Sequence, residues 1–265
     1  MSLVWCNGAF VAQSEASISI TDRGFTLADG IFETLRAVGT RPLWLVEHLA
    51  RLRAGAEFFG LLVAYDDAAI EAAVVRLLES SGASESAVRI TLTRGPTSQR
   101  GLWSSDNPGH PTLLITTAAG GKMPPQRMVI CRATRRNDRS PLSGIKSLNY
   151  GDNILARREA IRKNATDALM LNTQSHVACA TVGNVFFLMD GQWVTPRQSD
   201  GILPGLARGK IIPLIAAREK TLTEPDLLQV DAAFISNSLG CTIITSIEGR
   251  VLPDAEALPD LTIYQ

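Results

Sequence analysis

The stretch SPLSGIKSLNYGDNILARREA, residues 140–160, decides how the rest of the chain is read. Lys146 sits among apolar or small neighbours, and no carboxylate occurs between Asp138 and Asp152. A lysine desolvated in such surroundings loses its proton more easily and becomes a usable amine nucleophile. At an exposed strand end the same residue is an ordinary solvated cation, so the segment alone leaves both readings open. From about Asp152 the pattern turns helical and charge-laced.

Working outward, both secondary-structure periods appear. LVWC and AFVA flank Asn7-Gly8, and VFFLM and QWVT flank Asp190-Gly191; both are strong hairpin signals. Leu45, Leu49, Leu52, Ala56 and Phe59 recur at helical spacing, as do Ile70, Val74 and Leu77 behind an Asp66/Asp67 cap. AVRITLT (87–93), PTLLITT (111–117) and MVICRAT (128–134) read as strands. AAGGKMPP suits a connector, with two glycines and two prolines. The expected division is an N-terminal α/β domain over 1–117, a connector over 118–125, and a strand-rich domain over 126–265.

Composition excludes several function classes. Lys+Arg and Asp+Glu are 26 each, so no global basic footprint invites nucleic acid or an anionic membrane. Residues 168–189 are uncharged and reach the ~20 residues that span a bilayer. The polar NTQSH in their middle would be costly in hydrocarbon. MSLVWCNGAFVA lacks a cationic lead and does not read as a signal peptide; a soluble, cytoplasmic protein is expected. Cys6, Cys131, Cys179 and Cys241 are scattered, as are His48, His110 and His176. That pattern predicts reduced thiols and no metal site.

The motifs GIKSLNY…NILARREA, DALMLN…GNVFFLMDGQWVTP, GILPGLARGKII and ISNSL recur in order, preceded by NGAFV, DRGFTLADGIFETLR and EHLARL. Together, over nearly the whole chain, they resemble the fold-type IV pyridoxal-phosphate enzymes. That family includes branched-chain and D-amino-acid aminotransferases and aminodeoxychorismate lyase. The resemblance implies an α/β (α+β) fold of two domains, a sandwich-like N-terminal one and a C-terminal pseudo-barrel, with pyridoxal 5'-phosphate at their interface. It implies a small-molecule amino substrate and a homodimer whose subunits share active-site residues. Lys146 matches the Schiff-base lysine that also shuttles the substrate Cα proton, and Arg51 matches the phosphate-binding arginine. The N–H groups of Leu206 and Ala207, at a helix start near Gly205, form a ready anion site. Ala207 stands where relatives usually have a threonine. Ser238 matches another phosphate donor, with Asn237 and Leu239 beside it as candidate substrate contacts, and Tyr150 matches a tyrosine near the ring hydroxyl.

One position departs from the family. Relatives place a glutamate five residues before the asparagine of the NVF motif, against the cofactor's ring nitrogen; counting back from Asn184 gives Cys179. A thiol is a weak donor and cannot hold a ring proton as an ion pair, so the electron sink is weakened and elimination at Cβ is favoured over transamination. TLTRGPTSQRG (91–101) resembles the lyase branch, and Arg94, Arg100 and RRNDRS (135–140) offer guanidinium groups to a dicarboxylate. The expected activity is therefore 4-amino-4-deoxychorismate lyase, releasing pyruvate to leave 4-aminobenzoate. The alternatives are an aminotransferase for D- or branched-chain amino acids and a cofactor-binding scaffold of little activity.

Overall fold

The computed structural model describes residues 2–99, 101–102, 110–255 and 257–264. Two compact units emerge: residues 1–121 with 146–149, and residues 122–145 with 150–265.

Two hairpin-prone runs open the first unit. Strands β1 (Leu3–Cys6) and β2 (Ala9–Ala12) pair across Asn7 (φ 47°) and Gly8 (φ 92°), the two left-handed positions such a turn demands. They are followed by a short helix α1 (Arg23–Leu27), β3 (Gly30–Val38), β4 (Arg41–Pro42), helices α2 (Leu45–Phe59) and α3 (Asp67–Ser81), β5 (Glu85–Thr93) and β6 (Thr112–Ala119). The strands form one antiparallel sheet in the order β2-β1-β6-β5-β3-β4. The Asp66 carboxylate caps α3 by accepting the Ala69 N–H at 2.8 Å. Ile31, Glu33, Leu35 and Ala37 alternate along β3 and are all buried. They face α2, whose Leu49, Leu52 and Ala56 are buried in turn.

On the opposite face one transverse row matters. Cys6 pairs with Leu114, Leu114 with Thr91, and Thr91 with Phe32. Residues 146–149 complete it by lying antiparallel along the start of β3. The Phe32 N–H donates to the Lys146 carbonyl and the Leu148 N–H to the Gly30 carbonyl, both at 2.9 Å. Gly30 permits this approach, because a Cβ there would lie 2.6 Å from the Leu92 carbonyl oxygen and 2.8 Å from Leu148 Cδ1.

Two details differ from the expected domain boundaries. Ala118 and Ala119 belong to β6, paired with Ala87 and Ser86, so the connector is shorter than 118–125. Residues 146–149 join the first unit although the chain on both sides belongs to the second, because β3 has an edge to offer them.

The second unit comprises β7 (Gln126–Ile130), α4 (Gly151–Arg162), β8 (Asp167–Leu171), β9 (Val177–Ala180), β10 (Asn184–Met189), β11 (Gln192–Thr195), α5 (Leu206–Leu214), β12 (Arg218–Glu219), β13 (Ala232–Asn237), β14 (Gly240–Ile247) and β15 (Arg250–Val251). The sheet runs β12-β11-β10-β13-β14-β7-β8-β9, with β15 on β14. It curls until β9 meets β10 again, where the Ala180 N–H donates to the Gly183 carbonyl at 3.0 Å. This is the expected pseudo-barrel. Inside lie Met128, Leu169, Val185, Phe187, Ile235 and Ile244; outside, α4 packs Ala156 and Ala160 onto Ala168 and Met170. Strand β7 ends at Ile130, short of the expected end at Thr134, because the N–H groups of Arg132 and Ala133 turn to the Glu159 carboxylate. No helix among the described residues is long and apolar enough to cross a membrane.

Candidate active site

In the first unit, the edge position of residues 146–149 places the Lys146 side-chain nitrogen 4.3 Å from the Phe32 ring centroid. The Arg89 guanidinium carbon lies 3.8 Å from the same centroid, so one aromatic ring meets two basic groups. Burial lowers the Lys146 amine to about 8; Glu33 pulls it upward, while Arg51 and Arg89 push it further down. A usable fraction of this amine is unprotonated near neutrality, as a nucleophile requires.

Behind β3 lies a second charge cluster. The Glu33 carboxylate accepts from Arg51 Nε and Nη2 and meets His48 Nδ1, each at 2.7 Å. Residues His48 and Arg51, three apart on α2, share the face that looks onto β3. Burial would raise the Glu33 carboxyl, but hydrogen bonds and charge from Arg51 and His48 hold it below its ordinary value.

In the second unit, three turns gather around Asn184. Its Nδ2 donates to the Leu203 carbonyl at 3.0 Å, and Ser236 is its partner across β13. Gly205, the N-cap of α5, lies so close that a Cβ would fall 2.2 Å from Asn184 Oδ1. That close approach brings the first N–H groups of α5, those of Leu206 and Ala207, to one end of the barrel. Asn237 sits in the same cluster, donating to the Val182 carbonyl at 3.3 Å and accepting the Leu239 N–H at 2.9 Å. Ser238 and Leu239 form the half-buried turn between β13 and β14. The Ser236 hydroxyl is buried without a hydrogen-bond partner among the described residues.

Cys179 is on β9, just before the turn into β10, and is 8% exposed. Burial raises its thiol; Arg136 opposes that effect and Asp167 adds to it. A cation does reach Cys179, from a residue distant in sequence, but desolvation wins and the thiol stays protonated. Tyr150 is the N-cap of α4. That helix is tied to the same region by Asn153, which donates to the Thr181 carbonyl at 2.7 Å.

Not every expected contact is available. Arg94 is committed inside the first unit, to Asp29 through Nε at 2.8 Å and to the carbonyls of Phe59 and Gly60 at 2.6 and 2.9 Å. It braces the loop after α2, with four of its five N–H donors on Asp29 and two helix-end carbonyls. Arg135 and Arg136 also donate to backbone carbonyls, those of Cys131 and Thr134 and of Gly201 and Ser143. Arg100 lies outside the described residues. All four cysteines are free. Among the described residues no group of three or more His, Cys, Asp or Glu is placed to hold a metal ion.

Sequence reading missed Phe32, Glu33, His48 and Arg89. A signal existed for Glu33: a carboxylate at an inward strand position, between Ile31 and Leu35, requires a buried partner. Arg89 gave no such sign, since its meeting with Phe32 depends on the register of β3 against β5.

Each unit by itself carries groups of the kind that pyridoxal 5'-phosphate requires. The first has a desolvated amine and an arginine fixed by a buried carboxylate. The second has a helix N-terminus cradled by Gly205, and a thiol rather than an acid at Cys179.

Comparison with known proteins agrees. Residues 30–247 match the amino-transferase class IV family model. A D-alanine aminotransferase of Listeria monocytogenes is 28% identical over 266 residues, covering 97% of this chain and 91% of the relative. A candidate 4-amino-4-deoxychorismate lyase of Legionella pneumophila is 29% identical with TM-score 0.82, covering 91% of this chain and 90% of that one. A T.th. branched-chain amino acid aminotransferase, solved with pyridoxamine 5'-phosphate, shares the fold at TM-score 0.86 and 22% identity, covering 96% of this chain and 88% of that one.

Proposed function

This chain belongs to the amino-transferase class IV family and is a pyridoxal-phosphate-dependent enzyme, and from that premise we propose elimination rather than transamination as its reaction. The substrate we assign is 4-amino-4-deoxychorismate, leaving as 4-aminobenzoate and pyruvate.

When bound, the cofactor supplies an aldehyde for covalent capture of amines and a conjugated ring that accepts electron density from the substrate Cα. The remaining roles fall to the protein. Lys146 would hold the cofactor through its aldehyde, and its desolvated amine would be the group that moves the proton at the substrate Cα. Arg51, the N–H groups of Leu206 and Ala207, and Ser238 bind the phosphate. Ala207 contributes its backbone donor without the hydroxyl a threonine would add. Tyr150 serves the ring hydroxyl. Asn237 and Leu239 shape the turn that presents Ser238 and border the substrate, and Arg89 over Phe32 replaces Arg94 as our candidate for a substrate carboxylate.

The observation that carries the choice of reaction is Cys179, a buried neutral thiol at the position of the family's acid. Without a carboxylate partner the ring nitrogen is less readily protonated and withdraws electrons more weakly. Elimination tolerates this, because a leaving group at Cβ carries away the electron pair. Transamination, with no leaving group to take that pair, would depend more on the ring's electron demand.

A second reading has its own support: the Listeria relative is a D-alanine aminotransferase matched along nearly the whole chain. One experiment separates the two. Purified enzyme given 4-amino-4-deoxychorismate without any keto acid should release equal amounts of pyruvate and 4-aminobenzoate. No product there, with turnover of a D- or branched-chain amino acid plus a keto acid, would establish the aminotransferase. Turnover of neither would leave a cofactor-binding scaffold. By analogy with relatives we also propose a homodimer, to be checked by sedimentation.

A further inference from the structure

The strongest charge arrangement in the first unit contains two groups, Glu33 and His48, to which the proposed reaction gives no role. Glu33 is 1% exposed and His48 is fully buried, yet a carboxylate, an imidazole and a guanidinium meet there within hydrogen-bond distance. A buried ion pair of this kind gives little net stability compared with apolar packing. Its geometry, however, is directional. Nε and Nη2 form one edge of the Arg51 guanidinium, and both point at Glu33 at 2.7 Å, one to each carboxylate oxygen. This fork-to-fork contact fixes the plane of the guanidinium as well as its position.

His48 fixes the carboxylate from the other side. Its Nδ1 lies 2.7 Å from Glu33 Oε2, and its Nε2 is buried with no partner among the described residues. The imidazole's hydrogen bonding is therefore directed at Glu33. The chain of contacts runs His48, Glu33, Arg51, from the covered side of α2 outward to a guanidinium whose side chain retains 17% exposure.

We propose that Glu33 is a positioning residue, which locks the Arg51 guanidinium in the plane that presents its outer edge to the cofactor's phosphate, with His48 fixing Glu33 in turn. The inference rests on the assignment of Arg51 to that phosphate. Beyond its pull on the Lys146 amine, which both ligands of the test below feel alike, Glu33 acts through Arg51. A flexible arginine would have to be ordered each time the phosphate binds, whereas a pre-oriented one loses little freedom.

The test compares two ligands that differ only in the phosphate. Cofactor-depleted full-length protein is titrated with pyridoxal 5'-phosphate and with pyridoxal, following the visible absorption of the Lys146 linkage. Glu33→Gln, close in shape, should weaken pyridoxal 5'-phosphate by about 10–100-fold, as loss of an outer partner typically does. Pyridoxal affinity should stay within about twofold. In an Arg51→Ala background the Glu33→Gln change should add nothing further, since the residue it positions is gone.

Equal losses for both ligands, or the same loss with and without Arg51, would overturn the proposal and make Glu33 a packing residue. Should Glu33→Gln fail to fold, Arg51→Lys supplies the answer. It keeps the charge but cannot make the two-toothed contact, so it should lose phosphate-dependent affinity; wild-type binding would refute the need for orientation. A different failure marks the underlying assignment: if Arg51→Ala leaves the preference for the phosphorylated ligand intact, Arg51 does not serve the phosphate and the role of Glu33 falls with it.

Discussion

Lys146 is half-buried and Cys179 is buried, and loss of water acts on both by the same force with opposite chemical results. Removing water disfavours whichever form is charged. For the lysine that form is the ammonium, so desolvation brings the amine down to about 8 and exposes a nucleophile. For the cysteine it is the thiolate, so desolvation raises the thiol and silences it. Nearby charges refine each outcome without reversing it: Glu33 restrains the fall at Lys146, and Arg136 restrains the rise at Cys179. One reactive group is thus made ready for chemistry, while the other is a neutral surface where a charge was expected.

The largest test of this contrast is Lys146→Ala. It should remove the borohydride-sensitive visible absorption and lower turnover by about 10³–10⁴-fold, the loss expected when a nucleophile and proton carrier disappear together. Turnover within about tenfold of wild type would end the comparison.

Next in size is a stability effect with a defined sign. The Lys146 amine falls from 10.5 to about 8 in the folded chain. Well below pH 8 the folded state carries the cost of a desolvated ammonium, on the order of 3 kcal/mol. Between pH 8 and 10.5 the unfolded chain binds more protons, so the penalty fades as pH rises and is gone above 10.5. Lys146→Met should therefore stabilise the cofactor-free protein by about 3 kcal/mol at about pH 7 and hardly at all near pH 10.5, by denaturant titration. A gain independent of pH would show that the amine is not desolvated.

Smaller again is the effect of restoring the acid. Cys179→Glu should shift the ratio of transamination to elimination upward by about tenfold, on the order of one unit of ring-nitrogen pKa converted to rate. An unchanged ratio would remove Cys179 from the choice of reaction. Smallest is Cys179→Ser, which exchanges one neutral donor for another. That ratio should move by less than about threefold, and a larger change would mean the thiol has chemistry of its own.

How much of this was legible differs between the two positions. Both hairpins, the Asp66 cap and the helix starting after Gly205 could be read directly, since each depends on residues adjacent in sequence. The neighbours of Lys146 lack carboxylates, which left a reactive amine and a solvated cation both open; the resemblance of the surrounding motifs decided between them. The pairing of Lys146 along β3, which places it over Phe32, could not be read, because that contact joins residues far apart in the chain. Arg94 misled for a related reason: its motif is local, but Asp29 and the end of α2 decide what it binds. The Arg136 cation near Cys179 was hidden in the same way. Short-range chemistry was visible, and long-range electrostatics required the fold.

The most direct measurement of the central claim is reduction of the cofactor-loaded protein with borohydride, followed by peptide mass spectrometry. Loss of the visible absorption and one cofactor fixed on Lys146 are expected. Incorporation on Lys122, Lys163, Lys210 or Lys220, or none at all, would contradict that claim.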